Sequence, residues 1–306
     1  MSPTDRTMTR RVFTRGALAT GTAGLLAGLG PGTAAAAAGA LPGGADWMGA
    51  LDGQTPLARL TVPGTHDTCS LHGGALTETQ TLPLAAQLSA GVRFLDIRCR
   101  VVNGVFAIHH GPVFQQVFFG DVLNACRAFL AAHPRETLLM RVRQEYSTAS
   151  DAEFGAIFAG YRDRWPGLLR TEDGVPRLDE VRGRVVLLAD HPALPGIRWG
   201  GPLTDIEDDY QIGTVFELDS RKWPEVTAHL DAARAAGDPQ RLFLTFTSSS
   251  GWGLWPHTAA DVINPRVAGY ASAAGRSGGP AVLGTVPMDF VTEPDVRRLY
   301  ALNFAG

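Results

Sequence analysis

Two hydrophobic patterns alternate along the chain. Short apolar runs rich in β-branched and aromatic residues are typical of strands, and stretches with apolar residues at helical spacing separate them. The strand-like runs are RLTVPG, VRFLDIRCRV, VFAIHHG, TLLMRVRQEY, RVVLLAD, LFLTFTS and AVLGTVPMDF. The helical stretches include LPLAAQLSAG, FGDVLNACRAFLAAHP, AEFGAIFAGYRDRW, WPEVTAHLDAARAAG and NPRVAGYASAAG. Strands that alternate with helices in this way predict βαβ units and a parallel sheet.

The number of strand-like runs favours a closed, irregular barrel of the TIM type over an open doubly wound sheet. No G-x-G-x-x-G sequence opens a helix after the first strand, which argues against a dinucleotide-binding fold. The 306 residues, 45% of them hydrophobic, are enough to bury the core of one such barrel. We therefore predict an α/β chain with a single barrel domain over residues 41–306.

The first 40 residues are set apart as an export signal. Arg10 and Arg11 precede a short run rich in Ala, Leu and Gly, which ends in small residues suited to cleavage between Ala36 and Ala40. A transmembrane anchor needs roughly 20 predominantly apolar residues, and Gly and Pro interrupt this run. We expect a protein secreted by the twin-arginine route.

Charge and cysteine content narrow the function classes. A net charge of −3 and a pI of about 6.2 argue against a protein that binds nucleic acid by neutralising phosphates. After export, Cys69, Cys99 and Cys126 would be in an oxidising compartment. One disulfide could form there, but the sequence does not identify which two cysteines would pair. No C-x-x-C spacing is present, and we predict neither a metal nor a cofactor. Lys222, the only lysine, is interpreted as a bias in composition rather than a functional signal.

Polar side chains follow nearly every strand-like run. In a parallel barrel, catalytic groups gather at the carboxyl ends of the strands. Histidines and charged residues at these places are costly to bury unless they are paired. The residues are His66 and Asp67, then Asp96, Arg98 and Arg100, then His109 and His110, then Arg143 and Glu145, and finally Asp190, Ser248 to Ser250, and Asp289.

Two histidines, an arginine and aspartate partners suit the cleavage of a phosphodiester. One imidazole accepts a proton from the attacking hydroxyl and the other donates one to the leaving alkoxide, since both titrate near neutral pH. Arginine matches the phosphate oxygens and the charge that builds on them in the transition state. An aspartate on the far nitrogen of a histidine fixes its tautomer. No metal is required by such a set.

The ordered motifs VPGTHDT, FLDIRCR, AIHHGP, RVRQEY, VRGRVVLL, LTFTSSSG and VINPRVAGY resemble those of the bacterial phosphatidylinositol-specific phospholipases C. The resemblance spans residues 41–306 and implies a distorted, incompletely closed barrel. It also implies attack of the inositol 2-hydroxyl on its own phosphate, which releases diacylglycerol and a 1,2-cyclic inositol phosphate that water then opens slowly.

The resemblance also implies a role for each residue of the catalytic set. His66 would be the general base, oriented by Asp289, and His110 the general acid, supported by Asp67. Arg98 would stabilise the transition state. Asp96 would hold either Arg98 or His110 in place. His66 and Asp67 would thus act on opposite sides of the scissile phosphate.

Recognition of the inositol ring carries over less completely. Arg143, Glu145, Asp208 and Tyr210 match the family's ring-binding positions, with Asp209 as a competing register for Asp208. The family has a basic residue after the VVLL-like strand, where this chain has Asp190. Arg198 from the following loop is the substitute that we predict, unless the ring is bound differently.

Membrane contact is predicted for one Gly-rich loop, SSSGWGLWPH. Trp252 and Trp255 in this loop could settle at a lipid interface. By helical spacing, Phe114, Phe118 and Phe119 in VFQQVFFGD are predicted to lie in the core. The resemblance implies a monomer in peripheral contact with membranes that contain phosphatidylinositol, with glycosylphosphatidylinositol anchors as a further substrate.

Two alternatives stay open. A calcium-dependent phosphodiesterase would use a metal held by carboxylates for the task given to Arg98. A secreted inositol-lipid binding module without catalysis would tolerate the missing basic residue at Asp190, although His66 and His110 count against it.

Overall fold

Eleven strands form one curled sheet in this computed structural model, which describes residues 40–276 and 278–305. Leu41–Gly306 is a compact unit, and the predicted export signal, with Arg10 and Arg11, lies outside the described residues except for Ala40. The strands are β1 Thr61–Thr65, β2 Phe94–Val102, β3 Val105–His110, β4 Val113–Phe118, β5 Leu138–Gln144, β6 Leu169–Arg170, β7 Val185–Asp190, β8 Ile197–Arg198, β9 Thr204–Glu207, β10 Leu242–Thr245 and β11 Gly284–Met288.

The helices connect these strands and cover the outside of the sheet. Several begin at polar caps: the Ser150 side chain accepts a hydrogen bond from Glu153 N, and the Thr292 side chain accepts one from Asp295 N. The helices are α1 Leu84–Ala90, α2 Phe119–Ala132, α3 Asp151–Arg164, α4 Leu178–Val181, α5 Val215–Glu217, α6 Trp223–Ala235, α7 Pro256–Gly275 and α8 Glu293–Ala301, with a π-helical turn at Leu218–Lys222.

The sheet runs in the order β6-β7-β5-β2-β1-β11-β10-β9, and every neighbouring pair on this path is parallel. β8 pairs with the carboxyl half of β7. No ladder in residues 40–276 and 278–305 joins β9 back to β6 or β8, so the barrel is curled but open. The predicted α/β class and the distorted, incompletely closed barrel are confirmed.

The third strand-like run is where the predicted topology was wrong. β3 is a strand, but it pairs antiparallel with β2 in a hairpin rather than forming a parallel barrel strand. β2 runs nine residues, past the last pair with β5 at Cys99, and Asn103 and Gly104 turn the chain with φ of 50° and 75°. Asn-Gly between two apolar runs is a strong hairpin signal. The hairpin carries His110 back toward the mouth of the barrel.

The VFQQVF segment does not form the helix that its spacing predicted. It forms β4, which pairs antiparallel with β3. Phe114 and Phe118 are therefore exposed, at 39% and 43%, and only Phe119, at the start of α2, is in the core. The prediction failed because strand pairing with β3 decided the local structure.

At the amino end of the barrel, a buried ion pair fastens the beginning of the compact unit. Arg93 and Glu136 are 2.8 Å apart and almost fully buried. Arg93 donates to the carbonyls of Gly44 and Ala45, while Glu136 accepts from Gly49 N. Across the described ranges, the helices are all too short or too polar to span a bilayer.

Candidate active site

The turn after β1 places two neighbouring side chains against different partners. His66 N donates to the carbonyl of Met288, and Asp67 N donates to Asp96 Oδ2 at 3.1 Å. Asp67 has a φ of 39°, a left-handed conformation that non-glycine residues rarely adopt. Its buried hydrogen bonds keep this strained turn in place. Strain of this kind is common where structure serves a site.

The two ring nitrogens of His66 face groups of opposite charge, the carboxylate of Asp289 and the guanidinium of Arg98. Its Nδ1 is 2.8 Å from Asp289 Oδ1, and its Nε2 is 2.6 Å from Nη2 of Arg98. A guanidinium can only donate, so Nε2 carries the lone pair and Nδ1–H donates to Asp289. Burial and the positive charge of Arg98 lower the pKa of His66, with burial the largest single effect, and the negative charge of Asp289 raises it. The net pKa lies above the ordinary value. The arrangement is that of a base oriented by a carboxylate.

His110 faces His66 across the site, with ring centroids 6.5 Å apart. Its Nδ1 is 3.0 Å from Oδ2 of Asp67, whose side chain is fully buried. Burial raises the pKa of Asp67, and Arg98 and His110 lower it, with a net rise. The turn that follows His110 is held by Gly111 N, which donates to Glu145 at 3.0 Å. The HHGP motif is therefore fixed from two sides.

Arg98 lies beside His66 and is held by two carboxylates. It donates to Asp96 Oδ2 at 3.1 Å, and its Nε is 3.7 Å from Asp67. Burial lowers the pKa of Arg98, but the negative charges of Asp96 and Asp67 raise it by more. The net pKa is above the ordinary value, so the guanidinium stays charged. Burial raises the pKa of Asp96, and Arg98 and Arg141 bring it below the usual range. Of the two partners predicted for Asp96, its side chain contacts Arg98.

A cavity of about 270 Å³ opens above these groups at the carboxyl ends of the strands. It contains all the predicted ring-binding residues but one. Its lining comprises His66, Arg98, His110, Gly111, Arg143, Glu145, Asp208, Tyr210, Ser248, Ser249, Ser250, Pro256 and Asp289.

Arg198 is the predicted ring-binding residue that the structure does not bring to the cavity. It is exposed at the end of β8, and Nη1 donates to the carbonyl of His191 at 3.2 Å. Its register partner on β7 is Ala189, whereas Leu188 is the partner of Arg141. Successive side chains of a strand point to opposite faces, so Arg198 lies on the face of the sheet opposite to that of Arg141. The guanidinium nearest to Asp190 belongs instead to Arg141, on β5.

The choice between Asp208 and Asp209 is made by the turn after β9. Asp208 lines the cavity, whereas Asp209 forms an ion pair with Arg221 and its carbonyl accepts a hydrogen bond from Lys222 Nζ. Lys222 is fully buried and also lies 3.1 Å from both carboxylate oxygens of Glu207. Interpreting Lys222 as a bias in composition missed this role. A buried charge needs a partner, but sequence does not show burial.

Sequence reasoning also left Ser248 and Ser249 without a role. Both residues line the cavity and are at most 3% exposed, and their buried hydroxyls have no hydrogen-bond partner among the described residues. Buried hydroxyls are normally paired, so two unpaired ones next to a cavity are candidates to pair with polar groups of a ligand. Their position after a strand was the available signal.

Exposed aromatic residues surround the cavity mouth on one side. Trp252 is fully exposed, and Trp255 is half exposed. A bridge between Gln211 and Ser250 joins their loop to the preceding one, where Phe216 is 85% exposed. Phe216 was not predicted, because only the fold brings the two loops together.

The part of the chain that the structure describes contains no group of three or more His, Cys, Asp or Glu side chains arranged to hold a metal. Cys69, Cys99 and Cys126 are all buried and unpaired. Burial raises the pKa of Cys126 to about 12, which keeps this thiol protonated.

Comparisons with known proteins identify the family of this chain. Residues 54–190 match the family described as phosphatidylinositol-specific phospholipase C, X domain. The chain is 31% identical to a 1-phosphatidylinositol phosphodiesterase of Listeria monocytogenes, covering 84% of each chain. It is 26% identical to the protein of the same name from Staphylococcus aureus strain Newman, over 76% of this chain and 85% of that one.

Solved structures show the same fold. The phosphatidylinositol-specific phospholipase C from Listeria monocytogenes superposes with a TM-score of 0.77 at 28% identity, covering 86% of this chain and 99% of that one. A variant of the enzyme from Staphylococcus aureus gives a TM-score of 0.73 over 84% and 97%, and at 24% identity shows the fold alone. The chain belongs to the bacterial phosphatidylinositol-specific phospholipase C family.

Proposed function

We propose that this enzyme cleaves phosphatidylinositol by intramolecular transfer, without a metal, and releases diacylglycerol and 1,2-cyclic inositol phosphate. One observation supports this most directly. His66, paired with Asp289, and His110, paired with Asp67, line one cavity together with Arg98, which contacts His66 and lies 3.7 Å from Asp67. A base, an acid and a cation in this order match the three needs of phosphodiester cleavage.

The first step would begin at His66. Nε2 removes the proton of the inositol 2-hydroxyl, and the oxygen attacks the phosphorus of the same headgroup. Asp289, at 2.8 Å from Nδ1, stabilises the imidazolium that forms. Arg98 Nη2 is at hydrogen-bond distance from Nε2, so the guanidinium is close enough to contact a phosphate held next to the base. When substrate binds, the 2-hydroxyl would replace Arg98 as the donor to Nε2, and the guanidinium would donate to the phosphate oxygens. The cation would neutralise the charge that builds on the phosphate oxygens.

His110 would complete the transfer. As the bond between phosphorus and the diacylglycerol oxygen breaks, His110 donates a proton to that oxygen, and diacylglycerol leaves as a neutral alcohol. Asp67 supports the protonated ring from 3.0 Å. In the slow opening of the cyclic product, the roles reverse: His110 removes a proton from water, and His66 returns one to the 2-oxygen.

Inositol would be recognised by the opposite wall of the cavity. Arg143, Glu145, Asp208 and Tyr210 line it, and ring hydroxyls can donate to the carboxylates and accept from the guanidinium. Glu145 also lies 3.6 Å from Arg143. This ion pair orients the guanidinium toward the ring.

The substrate would be reached at a membrane surface. Trp252, Trp255 and Phe216 would insert at the interface and hold the cavity mouth against the lipid headgroups. Phosphatidylinositol in the bilayer is the proposed substrate, and glycosylphosphatidylinositol anchors present the same bond. We propose that the enzyme acts as a monomer, secreted by the twin-arginine route through residues 1–40.

The decisive experiment incubates the purified enzyme with phosphatidylinositol vesicles and identifies the water-soluble product by phosphorus NMR. We expect 1,2-cyclic inositol phosphate before inositol 1-phosphate, and equal rates with calcium and with excess EDTA. Initial release of inositol 1-phosphate would contradict intramolecular attack. A loss of activity in EDTA that calcium restores would establish the calcium-dependent alternative, and no product at all would favour the binding module.

A further inference from the structure

Arg141 is a buried arginine that contacts three carboxylates beneath the cavity. Its side chain is 3% exposed. Nη2 lies 2.7 Å from Asp190, and Nη1 lies 3.4 Å from Asp96 and 3.9 Å from Asp208. The guanidinium also stacks 4.1 Å from the ring centroid of Trp199. One cation therefore connects β2, β7 and the turn after β9.

The strand register explains why this arginine reaches so many partners. On the parallel ladder of β2, β5 and β7, Arg98, Arg143 and Asp190 lie side by side. Two residues earlier on the same strands, and so one layer deeper in the barrel, Arg141 lies beside Asp96. Side chains two residues apart on a strand share a face, so Arg141 points inward, as Arg143 does. Asp190 bonds to Arg141 in the deeper layer, at 2.9 Å from Nε, although Arg143 is its register partner.

We propose that Arg141 is a positioning residue that replaces the basic residue lacking at Asp190, by orienting Asp96 on the catalytic side and Asp208 on the inositol side. The inference rests on the proposed function. Asp190 is the counter-ion that fixes the guanidinium, and its negative charge is thus part of the arrangement.

The chemistry of the guanidinium makes arginine specific for this task. Its planar fork of five N–H donors can serve several carboxylates at once, and it stacks on an aromatic face. The ammonium of lysine is a compact point charge that cannot span the same distances. The carboxylate that holds Arg98, Asp96 Oδ2, belongs to the same side chain whose Oδ1 meets Arg141. Moving Arg141 therefore moves the transition-state cation through Asp96.

The effect on Asp208 is electrostatic as well as geometric. Burial raises the pKa of Asp208, while His66 and Arg141 act in the opposite direction. Loss of Arg141 would remove the guanidinium that lies 3.9 Å from Asp208, and the carboxylate would be displaced or protonated. Inositol binding through this carboxylate would weaken.

The test is a double-mutant cycle of Arg141→Lys and Asp208→Asn, with kcat and KM measured on phosphatidylinositol in mixed micelles. We expect Arg141→Lys to lower kcat, because Asp96 would no longer hold Arg98 in place. We also expect it to raise KM, because Asp208 would bind the inositol ring less well. The total loss in kcat/KM is expected to be roughly tenfold, within the range for residues in contact. In the Asp208→Asn background, the KM effect of Arg141→Lys should disappear, while the kcat effect should persist.

Arg93→Lys is the matched control, since Arg93 is an equally buried arginine paired with Glu136 at the other end of the barrel. It should lower the melting temperature without changing kcat or KM. Unchanged kinetics in folded Arg141→Lys would overturn the proposal. Independent effects of Arg141→Lys and Asp208→Asn on KM would also overturn it.

Asp190→Asn provides a second route if Arg141→Lys fails to fold, because Asp190 is partly exposed and Arg141 itself is kept. We expect a rise in KM of roughly threefold that is lost in the Asp208→Asn background. An unchanged KM, or a rise that persists in that background, would refute the positioning role. The wild-type enzyme is measured in the same assay. If it is active, an unexpected result for the variants contradicts the positioning role alone, whereas an inactive wild-type enzyme contradicts the proposed function.

Discussion

His66 and Asp67 are adjacent in the chain but bind partners on opposite sides of the cavity. His66 Nδ1 lies 2.8 Å from Asp289, and Asp67 Oδ2 lies 3.0 Å from His110 Nδ1. The left-handed φ of Asp67 separates their side chains. One turn thus supplies the proposed base itself and the carboxylate that supports the proposed acid.

The two histidines should respond differently to the leaving group. We expect His66→Ala and His110→Ala each to lower turnover of phosphatidylinositol by about 100-fold or more. With a nitrophenyl ester of inositol phosphate, whose leaving group needs no proton, His110→Ala should recover most of its activity and His66→Ala should not. Stopped-flow absorbance measures both rates. His133→Ala, at a partly exposed histidine paired with Asp46, is the control. Equal losses for both variants on both substrates would refute the assignment.

The rise of kcat/KM on the acid side of its pH profile should follow the deprotonation of His66, whose pKa depends on Asp289. His66 must be neutral to accept a proton, and its pKa lies above the ordinary value of about 6.5, so kcat/KM should rise with pH through that higher pKa. Asp289→Asn removes the anion that raises the pKa. We expect the acid limb to move to lower pH while the plateau falls by about 100-fold or more. A plateau that falls with no change in the limb would exclude Asp289 as the cause of the raised pKa.

Vesicle binding should depend on the aromatic residues at the cavity mouth. Burying an aromatic side chain stabilises by about 1.5 kcal/mol or more, so Trp252→Ala and Phe216→Ala should each weaken binding to phosphatidylinositol vesicles by roughly tenfold. Sedimentation with sucrose-loaded vesicles measures this. Phe118→Ala, at an exposed phenylalanine of the β3–β4 hairpin, is the comparison. An equal loss for Phe118→Ala would mean that binding is not confined to the mouth.

Lys222 should stabilise the turn that carries Asp208. Lys222→Met leaves Glu207 as a buried charge without its partner, which typically costs about 3–5 kcal/mol. Urea denaturation should show this loss in the free energy of unfolding. The double variant Lys222→Met with Glu207→Gln, which removes both charges, should recover most of it. A double variant no more stable than Lys222→Met would argue against a specific ion pair.

The barrel was predictable because its strands are continuous apolar runs and its helices carry spaced apolar residues. Residues at the ends of those strands, such as His66, Arg98 and Asp289, could also be found, because a parallel sheet brings its carboxyl ends together. The β2–β3 hairpin was missed although Asn103 and Gly104 signalled it, and the register of β8 with β7 places Arg198 on the other face of the sheet.

The sequence by itself determined the fold class, the positions where charged side chains end strands, and the motifs shared with the family. Only the tertiary structure decided which carboxylate meets which cation. Asp190 pairs with Arg141 rather than with its register partner Arg143, and Glu207 pairs with Lys222. These pairings join residues far apart in the chain, and they depend on burial, strand register and side-chain reach, none of which the order of residues records.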